Sequence, residues 1–133
     1  MSVGKRVHEG CPFCGVDSDS ILRESGHGYA LRDRYPVSPG HTLIVPTEHV
    51  ATLYDLPRKA QADLWELVAT TRASLAEELD PDGFNIGVND GAAAGQTVAH
   101  AHIHVIPRYD GDVDDPRGGI RWVIPERAAY WDR

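Results

Sequence analysis

Cysteines, cationic side chains and long apolar runs are all scarce in this sequence. Only two cysteines occur in 133 residues, whereas a secreted disulfide scaffold would use more of them, spread along the chain. No apolar run approaches the roughly 20 residues that a membrane-spanning helix needs. Residues 1–9 are polar and lack the apolar core of a signal peptide. We therefore expect a soluble, cytoplasmic protein without a membrane partner.

The charge balance is acidic. The chain has 13 lysines and arginines against 20 aspartates and glutamates, which gives a formal net charge of -7. This argues against non-specific binding to nucleic acid, because such binding depends on cationic side chains that neutralise phosphates. A small phosphorylated ligand is compatible with this charge, since a few backbone N–H groups and histidines can hold it.

Hydrophobic patterning predicts an α+β fold with an antiparallel sheet and one long helix. Apolar residues recur at helical spacing over residues 57–79, and Pro81 lies just beyond the end of this segment. Short apolar or alternating segments predict four strands, at residues 28–34, 42–45, 84–88 and 98–106.

No repeat or long linker interrupts the chain, so we expect one domain over residues 1–133. Within it, residues 1–20 form a loop-like N-terminal segment that carries both cysteines, and residues 109–133 form a polar, Gly-containing C-terminal tail. The composition, with 41% hydrophobic and 25% charged residues, is that of a globular protein.

Three histidines, His100, His102 and His104, alternate with small or branched residues near the end of the sheet-forming region. On a strand they would share one face, with neighbours about 6.6 Å apart. Two interpretations follow. The histidines could bind a zinc ion that keeps an open position, or the middle imidazole could attack phosphorus as a neutral nucleophile. The triad alone leaves both open.

A Gly-rich turn leads directly into the triad. Gly95 allows backbone to approach an anion, and Gln96 and Thr97 supply neutral donors. Turns of this kind form phosphate-binding concavities, although this stretch alone is equally compatible with an ordinary loop.

The cysteine pair, Cys11 and Cys14, has several interpretations. A close pair in a cytosolic protein is more often a metal site or a redox dithiol than a disulfide framework. A redox motif would lie between a strand and a helix, whereas polar, Gly- and Asp-containing sequence follows here. Two solvent-exposed cysteines without a shared role are a third reading.

Residues 95–108 resemble the signature of the histidine-triad (HIT) family, in which three histidines alternate with apolar residues. The resemblance extends to further segments and covers about residues 11–108: residues 29–33, 39–46 and 84–91, together with His49. It implies an α+β fold that dimerises into one continuous sheet.

The resemblance also implies a reaction. His102 would attack the α-phosphate of a purine nucleotide, and water or another acceptor would resolve the covalent nucleotidyl-histidine. His104 would help to hold the phosphate. By the same resemblance, substrate-binding roles fall to five residues: Asn89, Gln96 and Thr97 for phosphate or leaving group, Asp33 for ribose hydroxyls, and His41 as a supporting histidine.

Bacterial members of the family and the related galactose-1-phosphate uridylyltransferases have a similar cysteine pair. In those proteins two cysteines and two histidines bind structural zinc, and the matching residues here are Cys11, Cys14, His49 and His100. Two thiolates and two imidazoles make a closed tetrahedral site. If His100 binds zinc in this way, it cannot donate a proton to the leaving group.

Dinucleoside polyphosphates are the first substrate candidates, and nucleoside phosphoramidates are next. Arg117 or Arg121 could clamp distal phosphates, although a surface turn anchored by a tryptophan is the competing reading. Two other functions stay open: a nucleotide-binding regulatory protein with slow turnover, and a catalytic zinc enzyme that uses the three histidines.

Overall fold

A five-stranded antiparallel sheet forms the centre of the protein in a computed structural model, which describes residues 10–132. The strands are β1 (Ile21–Glu24), β2 (Gly28–Arg32), β3 (Thr42–Pro46), β4 (Gly83–Gly87) and β5 (Ile103–Arg108). They lie in the order β1-β2-β3-β5-β4. Every neighbouring pair is antiparallel.

One long helix, α1, spans Arg58–Leu79 and packs on one face of the sheet, as the sequence predicts. Pro57 is its N-cap, and the helix ends at Asp80, which adopts a left-handed conformation with φ of 47°. The predicted apolar stripe is the buried stripe, made of Ala60, Leu64, Leu67, Val68, Thr71 and Leu75. A second helix, α2, covers only Pro125–Ala128 in the tail. None of the helices in the described chain is long and apolar enough to cross a membrane.

The opposite face of the sheet carries a smaller apolar cluster. Tyr29, Leu43 and Val45 are buried there, and Phe13 and Val16 of the N-terminal segment pack against them. The N-terminal segment therefore covers part of the face that α1 leaves open. The remainder of this face holds the histidines described below.

Gly40 shapes the connection that delivers the chain into β3. Its φ is +90°, and an added Cβ would lie 2.5 Å from Leu79 Cδ1 and 3.1 Å from Pro107 Cγ. A side chain at this position would be strained and would also clash, so glycine is required on both counts. The tight turn places His41, the next residue, at the start of β3.

The structure differs from the strand predictions in two places. Strand β1 was not predicted, and the strand predicted over residues 98–106 begins only at Ile103. The ladder with β3 ends at the pair Ile44–Ile103. Beyond it, Ala101 N–H instead donates to the Val50 carbonyl at 2.8 Å. His100 and His102 therefore lie in the extended segment just before the strand, and only His104 lies within it.

Candidate active site and metal cluster

The predicted catalytic and substrate-binding residues line one cleft on the open face of the sheet. Its volume is about 1030 Å³, and its lining includes His102, His104, Asp33, His41, Asn89, Gln96 and Thr97. They come from β5, from the turn between β2 and β3, and from the loop between β4 and β5. The fold thus brings together residues that are distant in sequence.

The His102 ring is fixed in one tautomer. Its Nδ1 lies 2.9 Å from the carbonyl oxygen of His100. Because a carbonyl can only accept, Nδ1 must carry the proton and donate. In the neutral ring Nε2 then holds a lone pair, which is the state that a histidine nucleophile needs.

A second hydrogen-bond chain orders His41 and His104. Val37 N–H donates to His41 Nδ1 at 3.1 Å, so the proton of neutral His41 is on Nε2. That nitrogen lies 2.9 Å from His104 Nδ1 and donates to it. The proton of neutral His104 is therefore on its own Nε2, where it can serve as a donor in the cleft.

Burial keeps both of these histidines neutral. It lowers the pKa of His41, although the Asp33 carboxylate acts in the opposite direction. Burial, assisted by the neighbouring His102 and His41, lowers the pKa of His104 to about 4. A neutral His104 can therefore donate at physiological pH without adding a positive charge beside His102.

Asp33, His41 and His104 also lie close enough together to suggest a metal site. The hydrogen bonds argue against it. A metal-bound histidine normally donates its other N–H to an acceptor, whereas His41 Nδ1 accepts a hydrogen bond from the Val37 backbone N–H. His41 Nε2 is thus a donor and has no lone pair for a metal.

A second cluster has the geometry that zinc requires. Cys11, Cys14, His49 and His100 bring their ligand atoms within 4.8 Å of one another. His100 Nδ1 lies 3.4 Å from Cys11 Sγ and 3.7 Å from Cys14 Sγ, and His49 Nδ1 lies 3.2 Å from both Cys14 Sγ and His100 Nδ1. A tetrahedral zinc ion sets such ligand atoms about 3.3–3.8 Å apart. The four residues therefore fit zinc.

The orientation of His100 supports the same conclusion. This ring is fully buried, and its Nε2–H donates to the Pro46 carbonyl at 2.8 Å. That bond leaves the Nδ1 lone pair facing the cysteines, as expected for a metal ligand. A catalytic zinc site on all three triad histidines does not match this geometry, because His100 and His102 aim their rings at different groups.

The loop before the triad is held by Gln96. Gln96 Nε2 donates to the carbonyls of Ala51 at 2.8 Å and Val98 at 3.0 Å, and its Oε1 accepts from Gly91 N–H at 2.9 Å. One bond of the amide nitrogen therefore stays within the loop, and the other joins the loop to the segment that follows β3. Gly95 follows the left-handed path that the turn requires, with φ of +98°.

Comparison with known proteins identifies the family. A HIT-domain profile matches residues 15–111. A HIT-like protein of Mycobacterium tuberculosis is 39% identical over 125 residues, which cover 90% of this chain and 86% of the relative. The chain belongs to the HIT family. Proteins of this family bind nucleotides and are in general nucleotide hydrolases or transferases.

Two further HIT relatives bear on the chemistry. The adenylylsulfatase HINT3 of Arabidopsis thaliana is 37% identical over 106 residues, which cover 77% of this chain and 54% of that protein. A zinc-bound histidine-triad protein from Mycobacterium smegmatis has 38% identity and a TM-score of 0.64, with 69% of this chain and 67% of that chain covered.

The C-terminal tail, which lies mostly outside the matched HIT region, uses its arginines internally. Arg117 pairs with Asp115 at 2.9 Å and lies over the Trp131 ring. Arg121 donates to the carbonyls of Arg127 and Ala128. The tail borders a second cavity of about 1150 Å³, which shares His41, His104 and Asn89 with the cleft. These contacts agree with the interpretation of the segment as a surface turn anchored by a tryptophan.

Sequence reasoning missed Phe13. Its ring lies 5.0 Å from the His102 ring, measured between centroids, and 5.7 Å from the His100 ring. Its position between Cys11 and Cys14 in the sequence predicts that it lies near the candidate zinc site. Nothing in the sequence pattern indicates that its ring also contacts His102.

Proposed function

We propose that this HIT protein is a nucleotide hydrolase or transferase that acts at the α-phosphate of a purine nucleotide. His102 is the nucleophile. The observation that carries this proposal is the hydrogen bond from His102 Nδ1 to the His100 carbonyl, because it leaves the Nε2 lone pair of a neutral ring in a cleft of nucleotide-binding size.

The reaction proceeds in two displacements. His102 Nε2 forms a bond to phosphorus, and the bond from phosphorus to the leaving group breaks with its electron pair on the leaving group. The departed leaving group takes up a proton from solvent. Water or another acceptor then attacks phosphorus and releases its proton to solvent, and the P–N bond breaks to restore the His102 lone pair. The covalent intermediate divides one difficult step into two easier ones.

The other cleft residues stabilise charge and bind the substrate. The Nε2–H of His104 donates to a phosphate oxygen, and His41 holds His104 in the tautomer that allows this. Asp33 binds ribose hydroxyls through its carboxylate, and the exposed Asn89 and Thr97 contact phosphate or leaving group. Gln96 serves the same subsite by holding the loop, and direct contact would require one of its internal bonds to open.

Zinc bound by Cys11, Cys14, His49 and His100 would be structural. All four positions of a tetrahedral ion are taken by side chains, so no position is left for substrate. The cluster joins the N-terminal segment to the segment before β5, which supports a role in stability. We expect about one zinc per chain by elemental analysis of protein purified without chelator, and its loss when both cysteines are replaced. Zinc that persists in the double variant would exclude this ligand set.

The contacts of the tail arginines bear on the choice of leaving group. Neither Arg117 nor Arg121 is positioned to clamp distal phosphates, because each is engaged within the tail. This favours a nucleoside phosphoramidate, with its uncharged or cationic amine, over a dinucleoside polyphosphate. A turnover panel of adenine and guanine dinucleotides, phosphoramidates, adenylyl sulfate and nucleotide sugars separates these substrates. Binding of nucleotide without turnover of any would instead support a regulatory binding protein.

The nucleophile is tested by His102→Ala. We expect this variant to keep its fold and lose turnover, because only a chemical group is removed. His27→Ala is a matched control, since His27 is a surface histidine that lies between β1 and β2 and pairs with Asp63 of α1. Mass spectrometry under acid-free conditions should find the nucleotide on His102 in the wild-type protein. Turnover by purified His102→Ala above contaminant background would refute the assignment.

We also propose a homodimer, in which β4 pairs with β4 of a second copy to extend the sheet. β4 is an edge strand, and unpaired strand edges favour association. Exposed apolar residues of the nearby tail, Ile120 and Val123, border the same edge cavity. Sedimentation at micromolar concentration should give twice the chain mass of 14.6 kDa, and a single species at the chain mass would contradict the dimer.

A further inference from the structure

Phe13 lies between the candidate zinc site, formed by Cys11, Cys14, His49 and His100, and the proposed nucleophile His102. It lies between Cys11 and Cys14 in the sequence, and its ring lies against the ring of His102 with the two planes inclined at 57°. The same side chain meets His100 nearly edge-on, at 85°. One residue thus contacts both a candidate metal ligand and the group that attacks phosphorus.

The backbone around Phe13 is fastened from both ends. Cys11 and Cys14 place their sulfur atoms beside His100 and His49, and the Tyr29 hydroxyl donates to the Phe13 carbonyl. Tyr29 is itself buried in β2. The position of the Phe13 ring therefore depends on the sheet and on the four side chains of the metal cluster.

His102 has little else to restrain it. Within residues 10–132, the side chain makes one hydrogen bond, from Nδ1 to the His100 carbonyl, which fixes the tautomer but allows the ring to tilt about that contact. The rings of Phe13 and His104 flank it, each with its centroid 5.0 Å away. Small errors in the direction of an attacking lone pair are costly, since a 1 Å misplacement can lower a rate about 100-fold.

We propose that Phe13 is a positioning residue that transmits the state of the Cys11–Cys14–His49–His100 cluster to the ring of His102. When the cluster is closed by metal, the N-terminal segment presses Phe13 against His102 and aligns Nε2. When the cluster opens, Phe13 moves away and His102 loses its alignment. This inference rests on the proposed role of His102 as nucleophile, but its structural part, the contact and its dependence on the cluster, can be measured separately.

The test uses two readouts on the zinc-loaded protein. The first is the long-range ¹H–¹⁵N NMR spectrum of the histidine side chains, with His102 assigned from its Ala variant. The second is kcat on the best substrate of the turnover panel. Because Phe13 also lines the cleft, KM alone does not discriminate between positioning and substrate contact.

Phe13→Ala should shift and broaden the His102 ring signals and lower kcat about 10- to 100-fold. Phe13→Leu, which keeps most of the apolar volume, should restore much of both. Val16→Ala is the matched control, because Val16 lies in the same segment, packs on the same apolar cluster and lines the same cleft. It should leave the His102 signals in place.

Removal of zinc by a chelator completes the test. In the wild-type protein it should move the His102 signals toward those of Phe13→Ala, and in Phe13→Ala it should move them little further. His102 signals that are unchanged in Phe13→Ala, or that respond equally to chelation with and without Phe13, would overturn the proposal. The comparison of Phe13→Ala with Phe13→Leu decides whether Phe13 positions His102 even if the chelated chain unfolds. Retained turnover in His102→Ala would instead overturn the proposed function and leave the NMR result standing.

Discussion

Replacement of His41 tests whether one histidine sets the proton position of another. In the structure His41 accepts from Val37 N–H and donates to His104 Nδ1. His41→Leu fills a similar volume but removes the donor. His104 Nδ1 then receives no hydrogen bond from this position, and the tautomer with the proton on Nδ1 becomes accessible. In that tautomer His104 Nε2 cannot donate to phosphate.

The size of the effect follows from burial. His41 is only 3% exposed, so water cannot readily replace the lost donor. A buried acceptor left without its partner costs about 1–3 kcal/mol, and the same free energy at the transition state corresponds to about a 5- to 150-fold loss of kcat. His41→Gln should lose much less, because its amide nitrogen can take the place of Nε2 as a donor. The Val37 N–H adds little, since Val37 is largely exposed and can bond water.

The assay combines steady-state kinetics with ¹⁵N shifts of His104, which distinguish the two tautomers. His27→Leu serves as the control for loss of a histidine outside the cleft, since His27 is exposed and pairs with Asp63. Full activity in His41→Leu with His104 still protonated on Nε2 would refute the idea that His41 sets the tautomer of His104. A loss as complete as that of His102→Ala would also refute it, because a positioning residue should retain part of the rate.

Three further predictions concern stability and pH. Thr71→Val should raise the free energy of unfolding by about 1 kcal/mol, because the Thr71 hydroxyl is buried in α1 and has no hydrogen-bond partner within the described chain. The control is Thr70→Val, which removes an exposed hydroxyl that does have a partner, the Glu66 carbonyl. Equal urea midpoints for both variants would contradict the reasoning. Asp80→Gly should raise the melting temperature and Asp80→Ala lower it, because residue 80 is left-handed; matching melting temperatures for the two variants would exclude this cause. The pKa of His104 is lowered to about 4 in the folded protein, so the unfolded chain takes up the proton first as the pH falls. The free energy of unfolding should therefore decrease from about pH 6.5 down to pH 4. A decrease of the same size in His104→Gln would contradict this assignment.

Much of the fold can be predicted from the sequence because helix α1 and the central strands follow simple periodicities. The helix begins after Pro57, ends before Pro81 and buries the predicted stripe. Strand β1 was not predicted because the burial of its side chains does not follow their hydrophobicity. Leu22 is 46% exposed while Arg23 is half-buried, and the register shifts between Ile21 and Arg23. This strand is defined by pairing with β2 and not by its own alternation.

The opposite error arose at the triad. Alternation of histidines with small or branched residues continues past the last hydrogen-bonded pair, so the sequence predicts a strand that is too long. The chain has a physical reason to leave the ladder here, because Pro46 has no N–H and its carbonyl accepts from His100 Nε2. The departure is what sends His100 to the cysteines while His102 and His104 remain in the cleft.

The residue types of the site were predictable from the HIT resemblance, but the distinct states of the histidines were not, and backbone groups are the cause. The Pro46 carbonyl puts the His100 proton on Nε2, the His100 carbonyl puts the His102 proton on Nδ1, and Val37 N–H puts the His41 proton on Nε2. Identical imidazoles thereby present a lone pair to the cysteine sulfur atoms, a lone pair to the cleft and a donor to a neighbouring histidine. Every residue except proline offers the same backbone N–H and every residue the same carbonyl, so a sequence carries no mark of which one will face a given ring. Only the path of the chain decides it, and that path also explains why exchanging the histidines among these positions would not preserve their roles.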